Sequence, residues 1–216
     1  MTVEGMLYRM RVGCLWRDLP SAFGCWDFGH KRFNFWSAAG KWINVFNALL
    51  EEPDFEWAFI DGTYVKAYQH SAGAPSGQPE AIGKSRAGHM SKIHLAVDAH
   101  GLLVAFEITG GDINDCIAAP ELIAQLPSAE EIVADKGYDS ERIREQIETQ
   151  GTRPVISIKL NSIRGNADLD MSLHCLVENA FARLKHFRAV AFRYVKLKQN
   201  YESMEAMACG VLWLPM

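Results

Sequence analysis

Apolar positions recur at two periods along this chain, and the change of period divides it. Over residues 5–13 (GMLYRMRVG) the spacing is helical and stops at Gly13. A connector broken by Pro20 and Gly24 follows, and a helical pattern resumes over 30–50, with Phe33, Trp36, Trp42, Val45, Phe46 and Leu49 as the expected core. The polar stretch EEPDFE (51–56) marks a boundary. Beyond it the pattern becomes that of strands: WAFIDGTYVKAYQH (57–70) is rich in β-branched and aromatic residues. Residues 91–111 alternate Ile93, Leu95 and Val97, turn at DAHG with Asp98 as a turn residue, and return as LLVAFEI, which predicts a hairpin. Helix 115–126 with Asp115 as its cap, strand 132–134, helix 140–151 between Ser140 and Gly151, and strand 153–159 come next. Leu173, Leu176, Val177, Ala180, Leu184 and Phe187 then mark one face of a helix over 173–190, and a last helix is expected within 193–215. Strands alternating with helices after a hairpin predict an α/β domain over 53–216, a mixed sheet flanked by helices, preceded by a small helical region at 1–52.

On the helix over 173–190, Glu178 lies opposite the apolar stripe, and Lys185, seven positions on, falls about 20° from it. Two further carboxylates close apolar strands: Asp61 follows Ala58–Ile60, and Asp135 follows Ile132–Ala134. A carboxylate at the end of a buried strand is costly unless paired or metal-bound. Asp61, Asp135 and Glu178 are therefore the expected catalytic and metal-holding set. Two Mg²⁺ ions, with Mn²⁺ as a substitute, suit such an oxygen-only set and phosphodiester chemistry.

Charge changes the picture further. The formal net charge is −4. Residues 1–50 carry six Lys/Arg against three Asp/Glu, residues 151–216 nine against five, and residues 51–150 seven against eighteen. Two basic ends flank an acidic centre, and bound divalent metal would let that centre approach a polyanion. Lys84, Arg86, Lys92, Lys185 and Arg188 are the candidate phosphate contacts. Arg9, Arg11, Arg17, Lys31 and Arg32 serve equally well as the solvated side of a helical bundle. The five cysteines (Cys14, Cys25, Cys116, Cys175 and Cys209) form no C-x-x-C pair, so neither a zinc site nor a disulfide framework is expected. No apolar run reaches the roughly 18 residues of a membrane span, and the start has no signal-peptide pattern, so a cytoplasmic location is expected.

The segments WRDLP, FIDGTYVKAYQHSAGA, AIGKSRAGHMSKIHLAVDAHG, ITGGDINDC, IVADKGYDSE, LVENAFARLKHFRAVAFRY, KLKQNYES and ACGVLWLP, in this order, cover most of the chain. Together they resemble the DDE transposases of bacterial insertion sequences, of the insertion-sequence-five type. The resemblance implies a ribonuclease-H-like core, with Asp61, Asp135 and Glu178 as the DDE set and DNA-end binding by the N-terminal region. It further implies DNA cleavage at element ends followed by strand transfer, double-stranded DNA partners (terminal inverted repeats and target), a homodimer on DNA, and association with the nucleoid. It also supplies a pattern of Tyr, Arg, Glu and Lys along the last catalytic segment. Glu178 and Lys185 match it, whereas Met171 and His174 stand at the Tyr and Arg positions. The chain before WRDLP and the loop at ADLDMSLH are shorter than such transposases have. A catalytically impaired DNA-binding remnant and a structure-specific nuclease on the same fold are the alternative expectations.

Overall fold

The computed structural model describes residues 2–50, 52–71, 80–85, 88–158 and 175–214. Among the described residues, seven strands form one mixed sheet: β1 (Trp57–Ala67), β2 (Gly83–Ser85), β3 (Gly88–Val97), β4 (Leu103–Gly110), β5 (Glu131–Ala134), β6 (Arg153–Ile156) and β7 (Phe192–Arg193). The spine runs β4, β3, β1, β5, β6, with β2 also on β3 and β7 also on β1. β3 runs antiparallel to β1 and β4, whereas β5 and β6 run parallel to β1. The expected hairpin is β3–β4. Asp98 is buried at its turn and accepts from the main-chain N–H groups of His100 at 3.0 Å and Leu102 at 2.8 Å. β2 and β7 are too short to leave a periodic signal.

The α-helices among the described residues are α1 (Thr2–Val12), α2 (Trp26–Ala38), α3 (Lys41–Leu49), α4 (Asp115–Ala124), α5 (Glu141–Thr149), α6 (Cys175–Lys185), α7 (Arg188–Ala191) and α8 (Lys198–Trp213). Alternation along the strands separates two cores. Ala58, Ile60, Ala96, Ile132 and Ala134 face α4 and α5, meeting Ala119, Leu122, Ile123, Ile143 and Ile147. Phe59, Val65, Ile93, Leu95, Val97 and Val133 face the other way, meeting Val177, Ala180 and Leu184 of α6 and Tyr201 and Met204 of α8. Met6, Met10, Phe33, Trp42 and Phe46 belong to this second core, so α1–α3 are packed into the sheet's own interior.

Several details depart from the sequence-based expectations. Val45 is exposed, because α3 lays only Trp42 and Phe46 inward. The cap of α4 is Asn114, whose side chain accepts from the Cys116 N–H at 3.1 Å; Asp115 is the first helical residue. The helix expected over 173–190 breaks after Lys185, since Phe187 is extended and caps the separate helix α7. Arg9 is buried with its guanidinium over the Trp16 ring, 4.6 Å from the centroid, so it belongs to the bundle and not to a phosphate.

Candidate active site

Parallel pairing of β1 with β5 sets Ile60 opposite Ala134. One residue further on, Asp61 and Asp135 leave neighbouring strands about 4.8 Å apart. Both fall at positions that alternate onto the α6 face, since Phe59 and Val133 share the core of α6 while Ile60 and Ala134 share that of α4. A main-chain N–H orients each carboxylate: Gly62 N donates to Asp61 Oδ1 at 2.7 Å, and Gly137 N donates to Asp135 Oδ1 at 2.7 Å. The Asp135 contact also starts the 3₁₀ turn Lys136–Tyr138.

Helix α6 crosses the same face. Val177, Ala180, Phe181 and Leu184 are buried, while Glu178 and Lys185 are exposed, as the helical wheel predicts. At its end, Lys185 Nζ donates to Thr63 Oγ1 at 2.7 Å, two residues beyond Asp61. Arg183 donates to the Gly101 carbonyl in the β3–β4 turn. These two contacts fix the direction of α6 along β1. Among the described residues, no three His, Cys, Asp or Glu side chains lie close enough to share a metal ion. Asp61, Asp135 and Glu178 therefore do not form one three-carboxylate group among the described residues; Glu178 sits in the first turn of α6.

A third carboxylate lies behind the pair, on the α4 face. Asp115 receives Lys92 Nζ at 2.5 Å on Oδ1 and 2.7 Å on Oδ2, and His94 Nδ1 lies 3.4 Å from Oδ1. The group fits because glycine stands one residue after Asp61 and two after Asp135. A Cβ on Gly62 would lie 2.8 Å from Lys92 Cε and 2.9 Å from Asp115 Oδ1; one on Gly137 would lie 2.8 Å from Asp135 Oδ1 and 3.3 Å from Asp115 Oδ2. Burial opposes ionisation of Asp115, but the adjacent His94 imidazole and the Lys92 ammonium outweigh it and hold the carboxyl below its ordinary range. Tyr138 closes the floor. Burial, then the charges of Asp115, Asp61 and Asp135, push its phenol well above the usual range, so it stays protonated beside three acids.

The candidate phosphate contacts separate accordingly. Lys84, Lys185 and Arg188 are exposed. Lys92 is not: it is 4% exposed, its ammonium held by Asp115 and 4.7 Å from the Tyr64 ring centroid. Its expected phosphate contact is corrected to an internal ion pair. Arg86, Met171 and His174 lie outside the described residues. Asp115 itself was read only as a helix cap. Polar residues at 92 and 94 on one face of a strand apolar on the other were the available signal.

The model of the transposase DDE domain matches residues 54–213. The chain belongs to the DDE transposase family. A model of the IS4/5 transposase family matches residues 1–46. A Brucella ovis protein named as a transposase for insertion sequence element IS6501 is 30% identical over 128 residues, 57% of this chain and 98% of that protein. One from Burkholderia cepacia, named for element IS402, is 28% identical over 151 residues, 65% of this chain and 69% of that one. Among solved structures, the Mos1 strand transfer complex matches 100% of this chain and 78% of the Mos1 chain, at 11% identity and a TM-score of 0.41. A pre-cleavage Mos1 transpososome matches 85% of this chain and 61% of its own, at 10% identity and 0.34. These structural likenesses are too slight to add to the assignment. In this member of the DDE transposase family the described strands form the mixed sheet flanked by helices that the sequence predicts. Among its described residues, no helix is long and apolar enough to cross a membrane.

Proposed function

We propose that this protein cleaves DNA at insertion-sequence ends in a divalent-metal-dependent reaction and joins the freed ends to target DNA. The observation that carries the reading is the placement of Asp61 and Asp135 at the adjoining ends of two parallel strands, on the face crossed by α6. An all-oxygen pair of this kind fits a hard cation such as Mg²⁺ or Mn²⁺. Asp61 and Asp135 are its ligands, with Glu178 as the third carboxylate, which α6 must shift to deliver. Two bound ions would activate the attacking oxygen and stabilise the leaving one. Lys185, seated on Thr63 beside Asp61, holds a phosphate near the cut. Lys84 and Arg188 contact the backbone at a distance, and a homodimer on double-stranded DNA brings two ends together in the cytoplasm, at the nucleoid. The N-terminal region over 1–52 serves DNA-end binding.

The experiment is nicking and joining of duplexes that carry the element's terminal repeats, with Mg²⁺ or Mn²⁺. Asp135→Asn should abolish both steps and leave DNA binding measurable; joining by this variant would refute the assignment. A second reading, a DNA-binding protein that no longer cuts, is favoured by the lack of one three-carboxylate group among the described residues and by Met171 and His174. Binding of the ends without nicking in either metal would select it.

A further inference from the structure

On the α4 side, the row of alternate positions along β1 is buried only as far as Ile60 and opens beyond Gly62. Ala58 and Ile60 are buried there. The same row of alternate positions on β1 then continues as Tyr64, Lys66 and Tyr68, with Tyr64 49% and Tyr68 53% exposed. β7 lies beside this row, Phe192 opposite Lys66, and adds Phe192, 50% exposed, and Tyr194, 39% exposed. The Tyr68 and Tyr194 ring centroids are 5.9 Å apart, and those of Phe192 and Tyr194 are 6.4 Å apart. A cavity of about 400 Å³ opens between them, lined by Lys66, Ala67, Tyr68, Gln69, Phe192 and Tyr194. A half-exposed cluster of three aromatic rings, Tyr68, Phe192 and Tyr194, marks an interaction site.

Its chemistry narrows the ligand. The rings offer flat π-faces, and the described lining residues carry one formal charge, the ammonium of Lys66. That combination suits a flat group tethered to an anion, which is an unpaired base on a phosphate backbone; aromatic side chains on a sheet face stack bases in this way. A duplex keeps its base faces stacked away, so the ligand is a strand locally unpaired. Position agrees with this. At about 3.3 Å per residue along β1, Tyr64 lies roughly 10 Å and Tyr68 roughly 23 Å from Asp61. β5 pairs with β1 only as far as Ile60, and β7 begins at Lys66. Among the described strands, the edge of β1 between these points is open, which leaves a path from the Asp61 face to the aromatic face.

We infer that Tyr68, Phe192 and Tyr194, with Lys66, form a stacking platform for unpaired bases of the DNA strand flanking the cut. The identity of that strand rests on the proposed cleavage reaction, but binding to the platform needs neither metal nor turnover. The test is fluorescence anisotropy of the full chain in EDTA, with a labelled short oligo(dT) and a labelled hairpin duplex. Each stacked ring is worth about fivefold or more in affinity. Tyr68→Ala/Tyr194→Ala should therefore weaken single-strand binding at least about 25-fold and leave the duplex unchanged. Tyr68→Phe/Tyr194→Phe, which keeps the π-faces, should bind as the parent does. Oligonucleotides carrying 2-aminopurine give a readout on the parent protein alone: stacking should quench the base on binding. Absence of quenching overturns the inference, as does equal single-strand affinity of the folded alanine variant. So does a concentration-dependent dimer that Tyr68→Ala converts to monomer, because the patch then belongs to a second copy. Asp135→Asn must retain single-strand binding. A protein that stacks bases but never nicks sinks the cleavage reading alone, and one that nicks without stacking sinks this inference alone.

Discussion

Glu205 makes the fold sensitive to pH in a direction opposite to that of most carboxylates. It lies inside α8, fully buried, with neither carboxylate oxygen partnered among the described residues. Burial raises its pKa from 4.5 to about 8, and its presence helps to push the Tyr201 phenol and the Cys209 thiol upward. In the unfolded chain the group ionises near its ordinary value; in the folded chain it keeps its proton until about pH 8. Below pH 4.5 both states are protonated and the group is neutral towards stability. Between the two values folding takes up one proton, so stability falls by about 1.36 kcal/mol per pH unit as pH rises. By pH ~7.5 the accumulated loss is roughly 4 kcal/mol, a large part of the ~5–15 kcal/mol that holds a domain together. Glu205→Gln has the same shape, carries a similar buried polar end and never ionises. Urea unfolding of both proteins from about pH 5 to 8 should show near-equal stability at the acid end. The variant should be ahead by roughly 4 kcal/mol at pH ~7.5. Parallel pH profiles, or a variant that is the less stable at pH ~7.5, would refute the reasoning.

Asp115→Ala leaves the Lys92 ammonium buried without its partner and should cost about 3–5 kcal/mol in urea unfolding, whereas Asp115→Leu/Lys92→Met should recover most of it. The pair's contribution is present above the ordinary carboxylate pKa and is lost as pH falls through the lowered value of Asp115, so the parent but not the double variant should lose it below pH 3.8. Gly62→Ala drives a methyl group onto Lys92 Cε and Asp115 Oδ1 and should cost about 1–3 kcal/mol, with nicking lost together with the geometry of Asp61. Lys185→Ala should weaken DNA binding evenly across sequences and lower the slope of log K against log salt by about 1; an unchanged slope would mean that the ammonium stays on Thr63.

Much of the layout of the candidate site could be read from the chain because its signals are local. Asp61 and Asp135 each end a run of apolar residues, and register alone then makes them neighbours. The exposure of Glu178 and Lys185 follows from the 3.6-residue period of α6. Asp115 and Lys92 could not be read this way. A strand that alternates Lys92, Ile93, His94 and Leu95 has the pattern of a half-exposed hairpin, yet β3 is covered on both faces, and its polar face is buried by α4. By sequence Lys92 belongs with Lys84 and Arg86 to a basic, glycine-containing segment suited to DNA, and Asp115 reads as a helix cap. The break after Lys185 was hidden because Phe187 is apolar at a helical spacing and is buried, although it caps a separate helix. The distance of Glu178 from the aspartates depends on where α6 docks, a tertiary property with no sequence period.

The shared core of α1–α3 and α8 also sets a clock on synthesis. Met6, Met10, Phe33, Trp42 and Phe46 share a core with Tyr201, Met204 and Met207, which the ribosome adds long after them. At about 5–20 residues per second, the first helices wait on the order of 10–30 s for the surface that completes their burial. Until then the nascent chain shows chaperones, proteases and other nascent chains an unfinished aromatic and methionine-rich face. The yield of folded protein thus depends on how quickly, and how often, translation carries the chain through α8.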